Sequence, residues 1–277
     1  FTIPPKQAYD PVPADGAEID HLDVELSWVP GFGAKLHTVY FGEDFDHVID
    51  AAGGTLQIET TYRPGPLEPA KTYYWRVDEA NSTGDCDVGA VWSFTVADYL
   101  LVEDFEDYND YEPERIFDTW IDGWGVAING SIISYVEPDL TQGEHFVETT
   151  IVHGGIQSMP YFYDTNFKYS EASRTLVLAR DWTEEDVGVL SLWFRGHSDN
   201  VAVPMYVALN GSARVDNDNP DAPTVTSWTP WNIELQKFAD QGVDLTNVNS
   251  ITLGLSSVAG GSGMMYYDDI RLYAPVP

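Results

Sequence analysis

The feature that most constrains the fold is a succession of short apolar runs separated by clusters of Pro, Gly, Asp and Asn. The run VELSWV (24–29) places Val24, Leu26 and Trp28 on one face and polar residues on the other, as in a strand with one solvated face. No stretch with a helical period competes with these runs. The pattern therefore predicts an all-β chain of sandwich type.

The length of 277 residues predicts two domains, because single cores rarely grow beyond about 250–300 residues. A change of texture at Ala97–Asp98 places the boundary there, giving domain 1–97 with an extended N-terminal segment and domain 98–277. The expected fold is two β-sandwiches in tandem. The predicted strands cover 24–29, 37–42, 72–80 and 90–96, then 158–164, 173–179, 189–196, 204–211, 231–238, 249–256 and 264–273.

The first domain carries a tyrosine-corner pattern. Leu67, Pro69 and Tyr73 have the spacing Leu-x-Pro-x-x-x-Tyr, which places a tyrosine at the entry to a strand after a corner. Together with Trp28 and the opening PVPADGA, this region resembles a fibronectin type III domain over about 90 residues. The resemblance implies a spacer, adhesion unit or interaction module, and the fold itself fixes no chemistry.

The second domain has a different set of motifs: VEDFEDY at its start, then HGGIQSMPYFY, LSLWFRG, TPWNIEL and a closing YYDDIRLY. In this order they resemble the jelly-roll sandwiches of the galactose-binding-like superfamily, which includes many carbohydrate-binding modules. The pairing of the two domains is similar to surface proteins of planctomycetes and related bacteria. The resemblance implies an extracellular or cell-surface location.

The resemblance also implies a structural calcium ion that ties the first strand of the second domain to the last. The first strand offers Asp104 and Glu106, and the last strand offers Asp268 and Asp269. Oxygen ligands of this kind suit Ca²⁺. These four residues are the predicted metal ligands.

Strict alternation along the last strand places Asp268 on the same face as Ile270 and Leu272, which must be buried if they belong to the core. A carboxylate at the margin of a core is costly unless it is paired or metal-bound. Calcium, a paired arginine and backbone hydrogen bonds all remain open, because a one-residue error in register exchanges the two faces.

Aromatic side chains offer a platform for sugars, whose pyranose faces are apolar, and the chain has nine Trp and 16 Tyr. Trp120 and Trp124 flank Asp122 and Gly123 in a turn-like context, and Trp228 precedes TPWNIEL. We take Trp120, Trp124 and Trp228 as the predicted glycan-binding residues. The alternative for each is that the ring fills the core of the sandwich.

The charge balance limits the partners. The chain has 45 acidic and 13 basic residues, which gives a formal net charge of −32. This charge repels nucleic acid and favours divalent cations as partners. No apolar run reaches the 18 residues that would predict membrane insertion. Cys86 is the single cysteine, so no internal disulfide can form.

Motifs for catalysis are missing from the sequence: it has no HExxH pair, GxSxG elbow, P-loop or GxGxxG turn. Cys86 lies between Asp85 and Asp87, which disfavour a thiolate. The chain is therefore predicted not to be an enzyme. Acidic residues are too numerous to exclude paired carboxylates for glycoside hydrolysis, so an accessory or catalytic domain of a polysaccharide hydrolase is a minor alternative.

Three sequons, at Asn81, Asn129 and Asn210, are predicted acceptors of N-linked glycans in exposed turns.

The leading hypothesis is a non-catalytic extracellular surface protein that binds glycan or a partner surface and is stabilised by calcium, with the first domain as a spacer. The rival hypothesis is a structural subunit that assembles with copies of itself into an extracellular filament or layer. Residues 1–13 discriminate between the two: a segment that crosses into a neighbouring copy favours assembly, and one that wraps its own domain favours binding.

Overall fold

The computed structural model of the protein describes residues 5–65, 67–177 and 180–275, apart from the side chain of residue 185. The chain divides into two compact units, 1–100 and 101–277; the sequence placed the boundary three residues earlier. About 40% of the chain is strand and 9% is helix, so the predicted all-β class is confirmed. No helix in the described ranges is long and apolar enough to cross a membrane.

In the described part of the first unit, the strands form sheets with the orders β1-β3-β6 and β2-β9-β7-β4-β5, and β8 pairs with β7. Neighbouring strands are antiparallel except β2 and β9. The elements are β1 (Tyr9–Val12), β2 (Ala17–Ile19), β3 (Leu26–Val29), β4 (Ala34–Gly42), α1 (Phe45–Ile49), β5 (Thr55–Gln57), β6 (Thr61–Tyr62), β7 (Thr72–Asn81), β8 (Cys86–Asp87) and β9 (Val91–Val96).

The core of the first unit joins its two sheets. Trp28 on β3 packs against Trp75 on β7, with ring centroids 6.2 Å apart. The backbone N–H of Glu68 donates to the hydroxyl of Tyr73 at 2.9 Å, and both Leu67 and Tyr73 are buried. The predicted tyrosine corner is therefore present, and it ties the entry of β7 to the preceding turn.

The N-terminal segment of the first unit lies along its own unit from residue 5 onward. The carbonyl of Pro5 accepts a hydrogen bond from the N–H of Phe32 at 2.8 Å, and the side-chain amide of Gln7 donates to the carbonyl of Val88 at 2.5 Å. The strand β1 then pairs with β3. Residues 1–4 of the predicted discriminating segment lie outside the described residues.

In the described part of the second unit, one sheet has the order β12-β13-β20-β15-β18, with β10 also pairing with β20, and the other has the order β11-β14-β19-β16-β17. The hydroxyl of Tyr161 in the first sheet donates to the carbonyl of Leu253 in the second at 3.2 Å, so the sheets face each other. The strand β10 (Tyr99–Glu103) begins two residues before the boundary. The other strands are β11 (Trp120–Ile121), β12 (Ile132–Ile133), β13 (Met159–Asp164), β14 (Ser170–Thr175), β15 (Val189–Arg195), β16 (Met205–Leu209), β17 (Ala213–Asp216), β18 (Thr229–Glu234), β19 (Ser250–Leu255) and β20 (Ser262–Tyr273).

Short helical segments lie between these strands. The α-helices of the second unit in the described ranges are α2 (Ile116–Thr119) and α3 (Gln236–Ala239), and 3₁₀ turns cover Leu140–Gln142, Glu184–Asp186, Ala222–Thr224 and Leu245–Asn247.

The strict alternation predicted for the last strand is wrong, because β20 contains a β-bulge. Ser191 pairs with Arg271 and Trp193 with Asp268, so the stretch of β20 between these pairs has one more residue than that of β15. The extra residue is Asp269, whose φ is +46°. Asp268 therefore shares the face of Trp193, opposite to the core face predicted for it, although it is fully buried.

Two predicted strands have different ends in the structure. The strand expected at 173–179 is β14, which ends at Thr175, and residues 178 and 179 lie outside the described residues. The strand expected at 231–238 ends at Glu234 and is followed by α3, which buries Phe238. The limits of β14 follow from its pairing with β19, which includes a hydrogen bond between the hydroxyls of Ser173 and Thr252. The apolar content of the segment alone could not predict where the strand ends.

Candidate functional site

The loop between β11 and β12 holds Trp124 in a fixed position. One carboxylate oxygen of Asp122 accepts a hydrogen bond from the N–H of Trp124 at 2.8 Å, and the other accepts one from the N–H of Ile133 at 2.7 Å. The N–H of Gly123 donates to the carbonyl of Ser131 at 3.0 Å. A loop tied at both ends in this way presents its side chains with little cost in conformational entropy.

The same loop is joined to its neighbours by close backbone packing. A Cβ at Gly130 would lie 2.0 Å from the carbonyl oxygen of Asp164, so a larger residue does not fit there. The amide of Asn129 donates to the carbonyl of Glu171 at 2.8 Å and accepts from the N–H of Glu171 at 2.8 Å. The loop is thereby fastened to β14 and to the end of β13.

Trp124 is 71% exposed and lines two clefts of about 420 and 440 Å³. Both are lined by Trp124, Val126 and Ile132, so they adjoin each other. The first is also lined by Phe117, Ile121, Asp122, Ile133, Ser134, Tyr135, Val136, Glu137 and Phe146. The second is also lined by Gly123, Gly125, Ala127, Asn129, Gly130, Ser131, Phe162, Tyr163, Asp164 and Phe167. We call the two clefts together the Trp124 groove.

A buried carboxylate, Glu148, binds the hydroxyl of Tyr135, which lines the first cleft. The hydroxyl of Tyr135 donates to Glu148, which also accepts from the N–H and the hydroxyl of Thr150, both at 2.5 Å, and from the N–H of Ile151 at 3.0 Å. Burial raises the pKa of Glu148, but the hydrogen bonds from Thr150, Tyr135 and Ile151 outweigh it and lower the pKa below its ordinary value.

The first cleft is also lined by a pair of rings. Phe117 and Phe146 meet edge to face with their centroids 5.0 Å apart. Exposed aromatic and aliphatic surface with a few polar groups at its rim is the usual chemistry of a small-ligand cleft. The arrangement can stack an apolar sugar face on Trp124 and accept hydrogen bonds from its hydroxyl groups.

The three predicted glycan-binding tryptophans are not brought together. Trp120 is completely buried, and its indole N–H donates to Glu103 at 3.0 Å, so the core-packing alternative holds for it. Trp228 packs edge-on against His153 at 5.9 Å, and the ring of His153 stacks on Trp193 at 3.7 Å. Trp124 is the member of the set whose ring faces open space.

The sequence reasoning missed Glu103, which organises the start of the second unit. This buried carboxylate accepts hydrogen bonds from the N–H of Phe105 at 3.0 Å, from the hydroxyl of Tyr108 at 2.6 Å, from Trp120 and from Arg174. The signal was present in LLVEDFEDY, where Glu103 directly follows the apolar run 100–102.

Of the four predicted calcium ligands, Glu106, Asp268 and Asp269 contact the loop 153–157, and hydrogen-bond donors occupy many of the ligand oxygens. One oxygen of Glu106 accepts from the N–H groups of Ile156 and Gln157, both at 2.9 Å. One oxygen of Asp268 accepts from the N–H groups of His153 and Gly154, at 2.8 and 3.2 Å.

The remaining two predicted ligands have partners of other kinds. Asp269 lies 2.6 Å from Nδ1 of His153 and accepts from the guanidinium of Arg271 at 2.6 Å. Asp104 accepts from the N–H of Glu106 at 3.1 Å. Burial, aided by the nearby charge of Asp269, raises the pKa of Asp268 to about 7 against the opposing effect of its backbone hydrogen bonds.

The fit of a calcium ion to this set is partial. Among the described residues, no group of three or more His, Cys, Asp or Glu is close enough to hold a metal. Of the alternatives stated for Asp268, the backbone hydrogen bonds are realised, whereas the arginine of this strand, Arg271, contacts Asp269. In favour of a cation, the side-chain oxygen of Gln157, beside Glu106, is buried and accepts no hydrogen bond from any described residue.

The three sequons differ in how their amides are used. A glycan on Asn129 would displace the bond from its amide nitrogen to Glu171, so the structure argues against this predicted acceptor. The amide nitrogen of Asn81 lies 3.2 Å from Asp85, and that of Asn210 lies 3.5 Å from the carbonyl of Asn247. Both are weaker contacts, and these two acceptors stay predictions.

The sequence matches no protein-family profile and no characterised protein. Among solved structures, the chain is similar to the family 11 carbohydrate-binding module of a cellulosomal cellulase of Clostridium thermocellum, with 16% identity and a TM-score of 0.38 over 65% of this chain and 96% of the module. It is also similar to a family 30 carbohydrate-binding module of another cellulosomal cellulase of that organism, with 14% identity and a TM-score of 0.34 over 47% and 82%.

An exo-β-agarase is a further structural neighbour, with 14% identity and a TM-score of 0.42 over 64% of this chain and 25% of the agarase. The neighbours thus include carbohydrate-binding modules and glycoside hydrolases. At these identities and TM-scores the likeness is distant, and it carries no conclusion about what this chain binds.

Proposed function

We propose that the second unit is a non-catalytic glycan-binding domain whose ligand lies in the Trp124 groove. The observation that carries the proposal is that Trp124, 71% exposed, lines two adjoining clefts and lies on a loop held by the hydrogen bonds of Asp122. A single exposed apolar residue needs no explanation, but an exposed aromatic ring that lines two adjoining clefts is the form that ligand sites take.

The direct test is binding of Trp124→Ala to immobilised polysaccharides in affinity gels and to soluble oligosaccharides by calorimetry. Loss of the stacking surface is expected to lower affinity by about tenfold or more. The matched control is Phe32→Ala, which removes a 69% exposed ring from the first unit and leaves the groove intact. Equal affinity of Trp124→Ala and the parent protein for every bound glycan would refute the proposal.

The wider setting of this function is also proposed. We take the protein as extracellular or at a cell surface, with the first unit as a fibronectin-like spacer whose tyrosine corner at Tyr73 supports that resemblance. Calcium is proposed as a stabilising ion near Glu106 and Asp268. The raised pKa of Asp268 and the unused oxygen of Gln157 support it, because a cation would compensate a desolvated carboxylate and fill that acceptor.

The assembly of copies into a filament or layer is the second candidate. It is favoured by β5, an edge strand of its sheet. This strand carries Leu56, which is 64% exposed, and it is followed by Ile58, which is 68% exposed. Exposed apolar side chains at an edge strand invite pairing between chains. Against it, residues 5–12 contact their own unit.

Electron microscopy and sedimentation of the parent protein and of Leu56→Lys test the assembly hypothesis. Filaments that the substitution abolishes would support assembly, and monomers of both proteins would exclude it.

A further inference from the structure

The two halves of the Trp124 groove are adjacent and of similar size. The clefts of about 420 and 440 Å³ share Trp124, Val126 and Ile132. Each alone falls within the range of roughly 300–1,000 Å³ that is usual for a small-ligand pocket. A ligand that fills both must therefore be an elongated molecule that passes the ring of Trp124.

The halves differ in what they offer a ligand. The walls of the first cleft are side chains such as Phe117, Val136 and Phe146, so it provides apolar contact. The second is lined by the chain around Gly125 and Ala127, whose backbone N–H groups have no hydrogen-bond partner among the described residues. It thus offers exposed backbone as well as a ring, Phe167, that is 48% exposed.

The charge of the groove excludes one class of glycan. Among the described residues that line it there is no Lys, Arg or His, whereas Asp122, Glu137 and Asp164 contribute carboxylates. Glu137 is exposed, and no described residue hydrogen-bonds to its side chain. The whole chain adds a formal charge of −32. A uronate or sulfate group would lose water here without gaining a cation, whereas a sugar hydroxyl can donate to a carboxylate.

We infer that the ligand is an uncharged oligosaccharide, that its chain crosses Trp124, and that it occupies both clefts at once. This inference rests on the proposed function. It adds two properties that the function alone does not require: discrimination against acidic glycans, and dependence of affinity on chain length.

The experiment is calorimetric titration of the full chain with neutral cello-, manno- and xylo-oligosaccharides from mono- to hexasaccharide, and with oligogalacturonates of matched length. At least one neutral series is expected to gain about tenfold or more in affinity between the monosaccharide and the tetrasaccharide. Oligogalacturonates are expected not to bind at about 20 mM or at about 500 mM sodium chloride. Salt screens the repulsion between carboxylates, but it does not supply the cationic side chain that the groove lacks.

Two variants separate the clefts. Val136→Ala alters the first and Phe167→Ala the second, and both residues are about half exposed, at 57% and 48%, so folding is preserved. Each substitution is expected to lower the affinity for the tetrasaccharide by about threefold or more. If one of the two leaves that affinity unchanged, the ligand occupies a single cleft and the inference is wrong.

Two further results would overturn it in distinguishable ways. Binding of oligogalacturonates as tight as that of neutral chains, or an affinity independent of length, would refute the inference and leave the proposed function standing. No binding of any neutral or acidic glycan would refute both.

Discussion

A tryptophan in this sequence is either part of the core or part of a surface, and its neighbours along the chain do not decide which. Trp120 and Trp124 both flank the pair Asp122–Gly123, yet Trp120 is completely buried and Trp124 is 71% exposed. The difference comes from Glu103, which accepts the indole N–H of Trp120 from a strand 17 residues away. Both tryptophans could be predicted as candidates from the sequence. Only the long-range contact between Trp120 and Glu103 shows that Trp120 belongs to the core and Trp124 to the surface.

Protonation of Glu148 bears on the groove, because this carboxylate binds the hydroxyl of Tyr135, which lines the first cleft. Its folded pKa lies below its ordinary value of 4.5, so its charged form stabilises the fold above pH 4.5, and this stability is lost as the pH falls through the folded pKa. We expect Glu148→Gln to lower the free energy of unfolding by about 1–3 kcal/mol at neutral pH, because bonds to a buried carboxylate are replaced by weaker ones.

The measurement is urea unfolding of both proteins between pH 7 and pH 3. The difference between them should shrink as the pH falls below 4.5, because protonated Glu148 resembles glutamine. Glu137→Gln is the matched control, since it removes one exposed charge and should change stability little at any pH. A difference that is constant with pH would contradict this account of Glu148.

At the scale of elements, the conformation of the loop 153–157 depends on the adjacent glycines Gly154 and Gly155, because a Cβ at either would meet a neighbouring carboxylate. A Cβ at Gly155 would lie 2.1 Å from a carboxylate oxygen of Glu106, and its φ is +56°. We expect Gly155→Ala to destabilise the protein by clearly more than the roughly 1–2 kcal/mol that a left-handed conformation alone costs an alanine.

The control for this prediction is Gly143→Ala. Gly143 has φ +78°, and a Cβ added there would have no atom within 4 Å, so this substitution isolates the cost of backbone strain. Thermal and urea unfolding of the two variants give the comparison. Equal losses would mean that contact with Glu106 does not constrain the loop.

Most strands were predictable because their side chains alternate, and the exceptions have identifiable causes. The predicted run 37–42 lies within β4, and 189–196 covers β15 with one extra residue. The bulge at Asp269 was not predictable, since nothing in YYDDIRLY distinguishes a regular strand from one with an extra residue. One inserted residue moved Asp268 to the opposite face, and with it changed the expected ligand geometry.

At the scale of the whole molecule, the formal charge of −32 makes stability sensitive to cations, which screen the repulsion among carboxylates. If calcium binds near Glu106 and Asp268, calcium in the millimolar range should raise the melting temperature by several degrees, by mass action on the folded state. Magnesium at equal concentration is the control, because it screens the surface charge equally but fits an irregular oxygen site poorly. Equal effects of the two ions would leave general screening as the explanation and exclude a calcium site.

The central claim is that glycan contacts the ring of Trp124, and nuclear magnetic resonance of the indole N–H groups tests it most directly. The nine tryptophans give separate indole signals, and Trp124→Phe identifies the one that belongs to Trp124. On addition of a bound neutral oligosaccharide, the account predicts that the Trp124 signal shifts in a saturable manner while that of fully buried Trp75 stays in place. A saturable shift of other tryptophan signals with the Trp124 signal unmoved would place the ligand elsewhere and contradict the account.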